Sequence, residues 1–322
     1  MDALSDVLKS VRLEGAVYLE AEFTAPWCIT ANAGLESVGR RLAGAEHVVF
    51  FHFVAEGAFQ VHQGDGLPPL SARAGDLIMF PDDVRQLMGS DVRLAPVQAN
   101  HLPYDDPEAH VVRLSFGGGG TLSRMVCGYI ACTKSLCRPL LDALPPVLVV
   151  HVGDGGASDM IRELLRVAVR ESWAARPGGQ SLLTKVAELM FVEALRHYAA
   201  SLPPTGTGWL AGVRDAHVGR ALAAMHGDPS RPWTVEDLAK EAALSRSALA
   251  EKFAALVREP PMQYLSRWRL ALAAQALRAG LEPISRIAER SGYDSEAAFG
   301  RAFKREFGKP PAAWRRAAAK AA

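Results

Sequence analysis

The chain contains 322 residues, more than twice the roughly 100 to 150 of a typical domain, so we expect two domains. Hydrophobic residues make up 49% of the chain and charged residues 22%, which excludes a mostly disordered or collagen-like protein. Four cysteines are too few for a disulfide scaffold. The first residues lack a signal-peptide pattern, and no apolar stretch of about 18 residues occurs. We therefore expect a cytoplasmic protein that does not span a membrane.

The net charge of +1 conceals an uneven distribution of charge along the chain. Residues 212–322 contain 19 Lys and Arg against 12 Asp and Glu, a balance of +7. Residues 1–211 contain 17 against 23, a balance of −6. Lys and Arg neutralise phosphates and release condensed counterions, so the basic segment favours a polyanionic partner such as nucleic acid. A basic surface that is merely solvated is the alternative.

The first half of the chain, residues 15–150, is rich in short β-branched and aromatic segments such as HVVFFHFV and DLIMF. Turns rich in Gly, Pro and Asp separate them, which predicts an all-β sandwich or a small barrel. Helical periodicity follows in two segments, one from Ser158 and one after Ser181. The second segment has an apolar side formed by Leu183, Val186, Leu189, Met190 and Tyr198. This helical hairpin either packs on the β domain or supplies a subunit interface.

An internal repeat with a period of 50 residues occupies the helical half of the chain. The matched pairs are Ser245 with Ser295, Leu249 with Phe299, Phe253 with Phe303, Val257 with Phe307, Pro260-Pro261 with Pro310-Pro311, and Tyr264 with Trp314. Each copy predicts a helix-turn-helix, because Ser245 and Ser295 can each cap a second helix.

The second helix of each copy, which we call a recognition helix, has one apolar and one polar side at 100° per residue. The second recognition helix buries its phenylalanines and exposes Arg301, Lys304 and Arg305, while the first exposes Ser247, Glu251 and Arg258. A major groove about 12 Å wide admits such a helix. We expect Arg301 to contact guanine, and Lys304 and Arg305 to contact phosphates; a charged side of a structural helix is the alternative. The predicted DNA-binding residues are Ser245, Arg246, Ser247, Glu251, Ser295, Glu296, Arg301, Lys304 and Arg305.

The segment PISRIAERSGYDSEAAFGRAFKREFGKPPAAWRR resembles the C-terminal signature of the AraC/XylS family of bacterial transcription regulators. The resemblance covers about residues 213–317 and rests on IA, GY, RAFK and WRR. The chain departs from the pattern at Arg258, where many members have Gly. The resemblance implies two helix-turn-helix subdomains joined by a long helix at about residues 262–278. It also implies recognition helices in successive major-groove turns of double-stranded DNA, and recruitment of RNA polymerase.

The strand-rich half resembles the cupin-type domain that precedes the DNA-binding domain in many AraC-like regulators. We therefore predict an α+β protein of two domains, a cupin-like β-barrel with a helical hairpin and an all-α domain with two helix-turn-helix subdomains. Residues 1–201 are predicted to sense an effector and to form a homodimer. Residues 202–212 are predicted to be a linker, because LPPTGTGW has no apolar period, and residues 213–322 to bind DNA.

A metal-binding cupin uses the motifs G-x5-H-x-H-x3-E and G-x5-P-x-G-x2-H, whose spacing surrounds one ion with three imidazoles and a carboxylate. Phe50 and Gln86 occupy two of the histidine positions, so only two ligand positions are kept. The positions that fit are Gly44, His52, Glu56, Gly75 and Pro81. We therefore expect no metal, no other cofactor and no enzymatic activity; a cupin oxygenase or isomerase is the alternative. A small-molecule effector is expected to contact His52, Glu56 and Gln86.

Three cysteines, Cys127, Cys132 and Cys137, are spaced C-x4-C-x4-C, unlike the C-x2-C of structural zinc sites. They are either small buried hydrophobic residues or a thiol sensor in which Lys134 and Arg138 favour the thiolate. In the second case the regulator responds to thiol oxidation instead of a bound effector.

Overall fold

The computed structural model describes residues 2–11, 13–32, 46–62, 64, 66–82, 85–105, 111–151, 160, 163–164, 166–168, 170–171 and 176–321. The chain forms two compact units. One, the helical unit, consists of Met1–Arg12, Thr133–Ala143 and Leu202–Ala322. The other, the β unit, consists of Leu13–Cys132 and Leu144–Ser201.

The described strands of the β unit form two sheets, which confirms the predicted cupin-like β domain. The strands are β1 (Glu14–Thr24), β2 (Cys28–Asn32), β3 (His47–Glu56), β4 (Ala58–Val61), β5 (Leu70–Arg73), β6 (Leu77–Phe80), β7 (Arg85–Gly89), β8 (Val97–Gln98), β9 (Tyr104–Asp105), β10 (Val112–Gly117), β11 (Leu122–Cys132) and β12 (Leu148–Val150). The seven-stranded sheet has the order β12-β6-β3-β11-β1-β10-β9, and the five-stranded sheet has the order β5-β4-β7-β2-β8. Neighbouring strands are antiparallel except for two parallel pairs, β1 with β10 and β2 with β8.

The core of the β unit lies between the two sheets. Alternate residues of β3 point into it, including Val48, Phe50 and Val54, and they meet Ile29 and Met88 of the smaller sheet. The whole segment from His47 to Val54 is buried, so both faces of this part of β3 are covered. An unbroken apolar run is typical of such a strand.

A long helix, α3 (Gly179–Ser201), packs on β1, β11 and β12 and confirms the second predicted helix of the hairpin. Gly15 of β1 permits the close approach, since a Cβ there would lie 2.7 Å from the Cβ of Ala187. Leu189 was predicted on the buried side but is exposed, because it lies about 100° around the helix from the buried Met190. Ser158, where the first helix was predicted to begin, lies outside the described residues, as does most of that segment.

The helical unit contains ten described helices, whereas α3 belongs to the β unit. They are α1 (Ala3–Ser10), α2 (Lys134–Leu141), α4 (Trp209–Arg214), α5 (Val218–Gly227), α6 (Val235–Glu241), α7 (Arg246–Val257), α8 (Pro261–Ala279), α9 (Ile284–Arg290), α10 (Glu296–Phe307) and α11 (Pro311–Ala321). Within the described ranges, no helix is long and apolar enough to cross a membrane. The cytoplasmic location stays a prediction.

The division into units differs from the predicted boundaries in two segments. Helix α1 packs on α5, and α2 packs on α8, so parts of the predicted sensing segment 1–201 belong to the helical unit. The apolar sides of these short helices are buried there, through Val7 in α1 and through Leu136 and Leu140 in α2. Periodicity predicts an apolar side but does not identify the surface that covers it.

The predicted linker 202–212 is also too long. Helix α4 begins within it, at Trp209, and the Trp209 side chain is buried. Its indole N–H donates to the hydroxyl of Tyr264 on α8 at 2.6 Å. This buried hydrogen bond fixes the start of α4 to the helical unit, so the non-helical segment ends at Gly208.

Candidate nucleic-acid interface and effector site

The first helix-turn-helix consists of α6 and α7 with a short turn between them. Thr234 and Asp237 cap α6 reciprocally, each side chain accepting from the other's backbone amide at 3.1 Å. Ser245 caps α7 by accepting from the amide of Ala248 at 3.2 Å. The turn contains Ala243 at φ 51°, a left-handed conformation that is rare for a residue with a Cβ. The predicted start of the first recognition helix is therefore confirmed.

The second helix-turn-helix consists of α9 and α10 and follows the same plan. Ser295 caps α10 by accepting from the amide of Ala298 at 3.2 Å. Phe299 and Phe303 of α10 are fully buried. Gly292 occupies the left-handed position of the turn, at φ 76°.

The aromatic residue that follows each copy of the repeat closes its core. The ring of Tyr264 contacts Phe253 of the first recognition helix edge-on, with centroids 5.8 Å apart. The ring of Trp314 contacts Phe303 of the second recognition helix in the same way, also at 5.8 Å. Tyr264 and Trp314, which match each other in the sequence repeat, therefore pack on their recognition helices in the same way.

The first recognition helix presents a polar outer side. Arg246, Ser247 and Glu251 are exposed, as predicted. The hydroxyl of Ser245 lies 3.2 Å from that of Ser247, and it also caps the helix. Ser245 therefore acts first as a structural cap.

Arg258 does not lie on this outer side, contrary to prediction. It is the residue after the last turn of α7, in a left-handed conformation with φ 66°, and Gly308 occupies the equivalent position after α10 with φ 72°. The Arg258 guanidinium donates to the hydroxyl of Thr207 at 2.8 Å. The helical projection fails here because the helix has already ended.

The second recognition helix presents a strongly basic outer side. Arg301, Lys304 and Arg305 are exposed, and Glu296 is exposed in the first turn. Within the described ranges, none of the three cations forms an ion pair. Their charges are therefore available to an external anion.

A buried hydrogen-bonded network supports the first helix-turn-helix. Because an indole N–H can only donate, the Tyr264 hydroxyl accepts from Trp209 and donates to Nε2 of His226, at 2.6 Å in each case. The ring of Trp268 lies 4.5 Å from the imidazole, measured between centroids. Burial lowers the pKa of His226 to about 3, so the imidazole is neutral at physiological pH.

A second polar group is buried between the sheets of the β unit. Nε2 of His52 donates to Oε1 of Gln86 at 2.8 Å. The residues are 5% and 1% exposed, respectively. Nδ1 of His52 and Nε2 of Gln86 have no hydrogen-bond partner among the described residues. Burial lowers the pKa of His52 to about 4, so the pair is uncharged.

Glu56 is not brought to this pair, although it was predicted with His52 and Gln86. Its carboxylate accepts from the Arg124 guanidinium at 2.7 Å, and about half of its side chain is exposed. A register shift between β3 and β11 at Arg124 and Met125 interrupts the alternation there. Gly44 of the predicted metal motif lies outside the described residues. In the part of the chain that the structure describes, no three His, Cys, Asp or Glu side chains are grouped as metal ligands would be.

The four cysteines, Cys28, Cys127, Cys132 and Cys137, are buried, and none of them is in a disulfide. Burial raises the pKa of the Cys28 and Cys127 thiols, which disfavours the reactive thiolate. Arg138, predicted to favour a thiolate, instead forms ion pairs with two carboxylates. This environment is that of small apolar residues, and we do not propose a thiol signal.

Known proteins resemble both halves of the chain. The family model described as Cupin matches residues 2–200, and the one described as Helix-turn-helix domain matches residues 238–317. An AraC-like transcription regulator of Streptomyces lividans is 34% identical, over 98% of each chain. The chain belongs to the AraC-like family of transcription regulators. It is therefore a DNA-binding regulator with an N-terminal domain of the ligand-binding type.

Other AraC-like proteins are similar along the same length. The transcriptional regulator AlkR of Acinetobacter baylyi is 28% identical over 98% of this chain and 99% of its own. The crystal structure of ToxT from Vibrio cholerae covers 96% of this chain and 98% of its own, with 12% identity and a TM-score of 0.37.

Two features of this AraC-like regulator were not predicted from its sequence. The first is the network around Tyr264, whose only signal was the match of Tyr264 to Trp314 in the repeat. The second is an ion pair between Arg138 of α2 and Glu306 of α10. No sequence spacing connects residues so far apart, and Arg138 had been interpreted only as a neighbour of cysteines.

Proposed function

We propose that this AraC-like regulator reads a specific duplex sequence by placing α7 and α10 in successive turns of the major groove. The observation that carries the proposal is the outer side of α10. There Arg301, Lys304 and Arg305 are exposed and unpaired with described residues, while Phe299 and Phe303 fix the opposite side in the core. A rigid helix fits the width of the major groove, and a basic outer side complements the negative charge of the DNA.

The outer residues differ in what they can contact. Arg301, in the middle of α10, can donate two hydrogen bonds to the O6 and N7 atoms of one guanine. Lys304 and Arg305 lie closer to the end of the helix and are assigned to phosphates. In α7, the corresponding candidates are Arg246, Ser247 and Glu251. The exposed Glu296 begins α10, beside the cap Ser295.

The test is a pair of substitutions on one helix. A specific duplex is first obtained by selecting a randomised library with the full chain. Arg301→Ala should weaken binding to that duplex by about 1–3 kcal/mol and relax base choice at one position. Lys304→Ala is the matched control, because it should weaken specific and random duplexes alike and lower the salt slope by about one. Equal losses on specific and random duplexes for Arg301→Ala would contradict a base-reading role.

We also propose that the β unit binds a small, neutral effector at His52 and Gln86. The pair leaves one acceptor, His52 Nδ1, and the amide donor of Gln86 without a described partner, in surroundings that are otherwise apolar. Buried polar atoms without partners cost free energy, so a ligand that supplies a donor and an acceptor gains from both. A neutral ligand is favoured because burial keeps the imidazole uncharged.

A thermal-shift screen tests the effector proposal. Neutral molecules that carry hydroxyl or amide groups are added to the full chain and to the double variant His52→Leu/Gln86→Leu. A ligand of this site raises the unfolding temperature of the wild type and not that of the variant. Shifts that persist in the double variant would place the ligand elsewhere.

A homodimer stays a prediction, and so does the recruitment of RNA polymerase that the family resemblance implies. On α3, Leu182 and Leu189 lie seven residues apart and are both exposed. This spacing puts them on one side of the helix, which supports α3 as the place where a second copy would pack.

A further inference from the structure

Helix α2 lies in the chain between two strands of the β unit, yet it packs within the helical unit. It begins one residue after β11 ends, since Thr133 alone separates Cys132 from Lys134. The side chains of Leu136, Cys137 and Leu140 are completely buried. The helix contacts α1, α4 and α8, and α8 is the helix that joins the two helix-turn-helix subdomains.

The exposed side of α2 carries Arg138, which reaches the second helix-turn-helix. Its guanidinium lies 3.2 Å from the carboxylate of Asp142, the residue that follows α2, and 3.7 Å from the Glu306 carboxylate on α10. The Glu306 side chain is 28% exposed, so this ion pair is partly shielded from solvent.

Glu306 lies on the side of α10 that faces away from the proposed DNA surface. It is seven residues after Phe299 and three after Phe303, which are both fully buried. At 100° per residue, Glu306 therefore shares their side, and Arg301 lies roughly opposite. A substitution at Glu306 does not touch the residues assigned to DNA.

Helix α2 also reaches the first helix-turn-helix, because it contacts α4 and α4 packs on α7. Glu259 lies just beyond the end of α7. Glu259 is buried and pairs with Arg267 of α8. Burial raises the pKa of Glu259, and the positive charge of its partner Arg267 acts in the opposite direction. Helix α2 is therefore connected to both recognition helices, to α7 through α4 and to α10 through the Arg138–Glu306 ion pair.

We propose that α2, through Arg138, is a positioning element that holds the two recognition helices at the spacing needed to occupy successive turns of the major groove. The proposal rests on the paired-groove function proposed above. Two subsites engaged by one rigid body bind more tightly than two loosely connected ones, because engaging the first raises the effective concentration of the second. Loss of the positioning contact should therefore weaken paired binding and spare binding to one subsite.

The experiment uses the full chain and two duplex probes. The paired probe is the duplex selected by the wild type; in the single probe, the subsite that loses its base preference in Arg301→Ala is scrambled. Arg138→Gln and Glu306→Gln should each weaken binding to the paired probe roughly two- to fivefold, the range of a partly exposed ion pair, and leave the single probe unchanged. The double variant should lose no more than either single variant, and Arg138→Lys should bind like the wild type.

Arg93→Gln is the matched control, because Arg93 forms an Arg–Asp pair with Asp91 at 2.7 Å in the β unit. It should bind both probes like the wild type. All variants should unfold within a few degrees of the wild type, because a partly exposed ion pair contributes at most about 1 kcal/mol to stability. Additive losses, equal losses on both probes or no loss from Arg138→Gln would overturn the positioning role. A wild type that selects a single subsite would instead overturn the paired-groove function on which the role rests.

Discussion

Lowering the pH from 8 to 5 is expected to destabilise the helical unit through His226. In the unfolded chain this imidazole has its ordinary pKa of 6.5, whereas burial lowers the pKa to about 3 in the folded unit. As the pH falls, the unfolded state therefore binds the proton first. The stability is complete above about pH 6.5 and is lost progressively between pH 6.5 and pH 3.

The size of the effect follows from the same two pKa values. At pH 5 the unfolded imidazole is largely protonated and the folded one is neutral. Each pH unit below 6.5 costs about 1.36 kcal/mol, so His226 alone should lower the free energy of unfolding by about 2 kcal/mol at pH 5. Carboxylates also titrate in acid, so the contribution of His226 has to be isolated by substitution.

The assay compares the wild type with His226→Gln in urea titrations at pH 8, 6.5 and 5. The Gln side chain can accept the Tyr264 hydroxyl proton, as the imidazole does, but it does not titrate. Tryptophan fluorescence reports the transition, because Trp209 and Trp268 flank the imidazole. Between pH 8 and pH 5 the wild type should lose about 2 kcal/mol more than the variant. The same loss in both proteins would show that the imidazole takes up its proton normally in the folded unit.

Two further substitutions test local features. Ala243→Gly should raise the free energy of unfolding by about 1 kcal/mol in a urea titration, since Gly relieves the left-handed strain at φ 51°; an unchanged or lower value would refute that strain. His52→Leu/Gln86→Leu should raise the free energy of unfolding by about 1 kcal/mol, because both unpartnered polar atoms are removed. Gln86→Leu alone should lower the free energy of unfolding, because it leaves the imidazole without its partner. A double variant less stable than the single one would show that the pair stabilises the core.

The repeat in the helical half was predictable because each copy contains its own local signals. Ser245 and Ser295 cap their helices as the sequence indicates, and apolar residues every three or four positions define the buried sides. The exposure of Arg301 follows from the same periodicity. The prediction that Arg258 lies on the outer side of α7 was wrong. Arg258 follows the last turn of α7 in a left-handed conformation, at the position that Gly308 occupies after α10.

The features that the sequence did not predict depend on contacts between distant segments. Helix α2 has a clear apolar side, but nothing in its eight residues indicates that α8 covers it. The position of Glu56 depends on a register shift opposite Arg124, which alternation along one strand does not reveal. The cupin-type motif did predict His52 and Gln86 at one site, but not their direct hydrogen bond, which forms because their strands belong to facing sheets.

The spacing of the bases that the full chain selects from a randomised duplex library tests the central claim most directly. Two recognition helices in successive turns of one groove predict two blocks of preferred bases, with centres about 10 base pairs apart. Enrichment of one block only, or of no sequence at moderate salt, would contradict paired reading by α7 and α10.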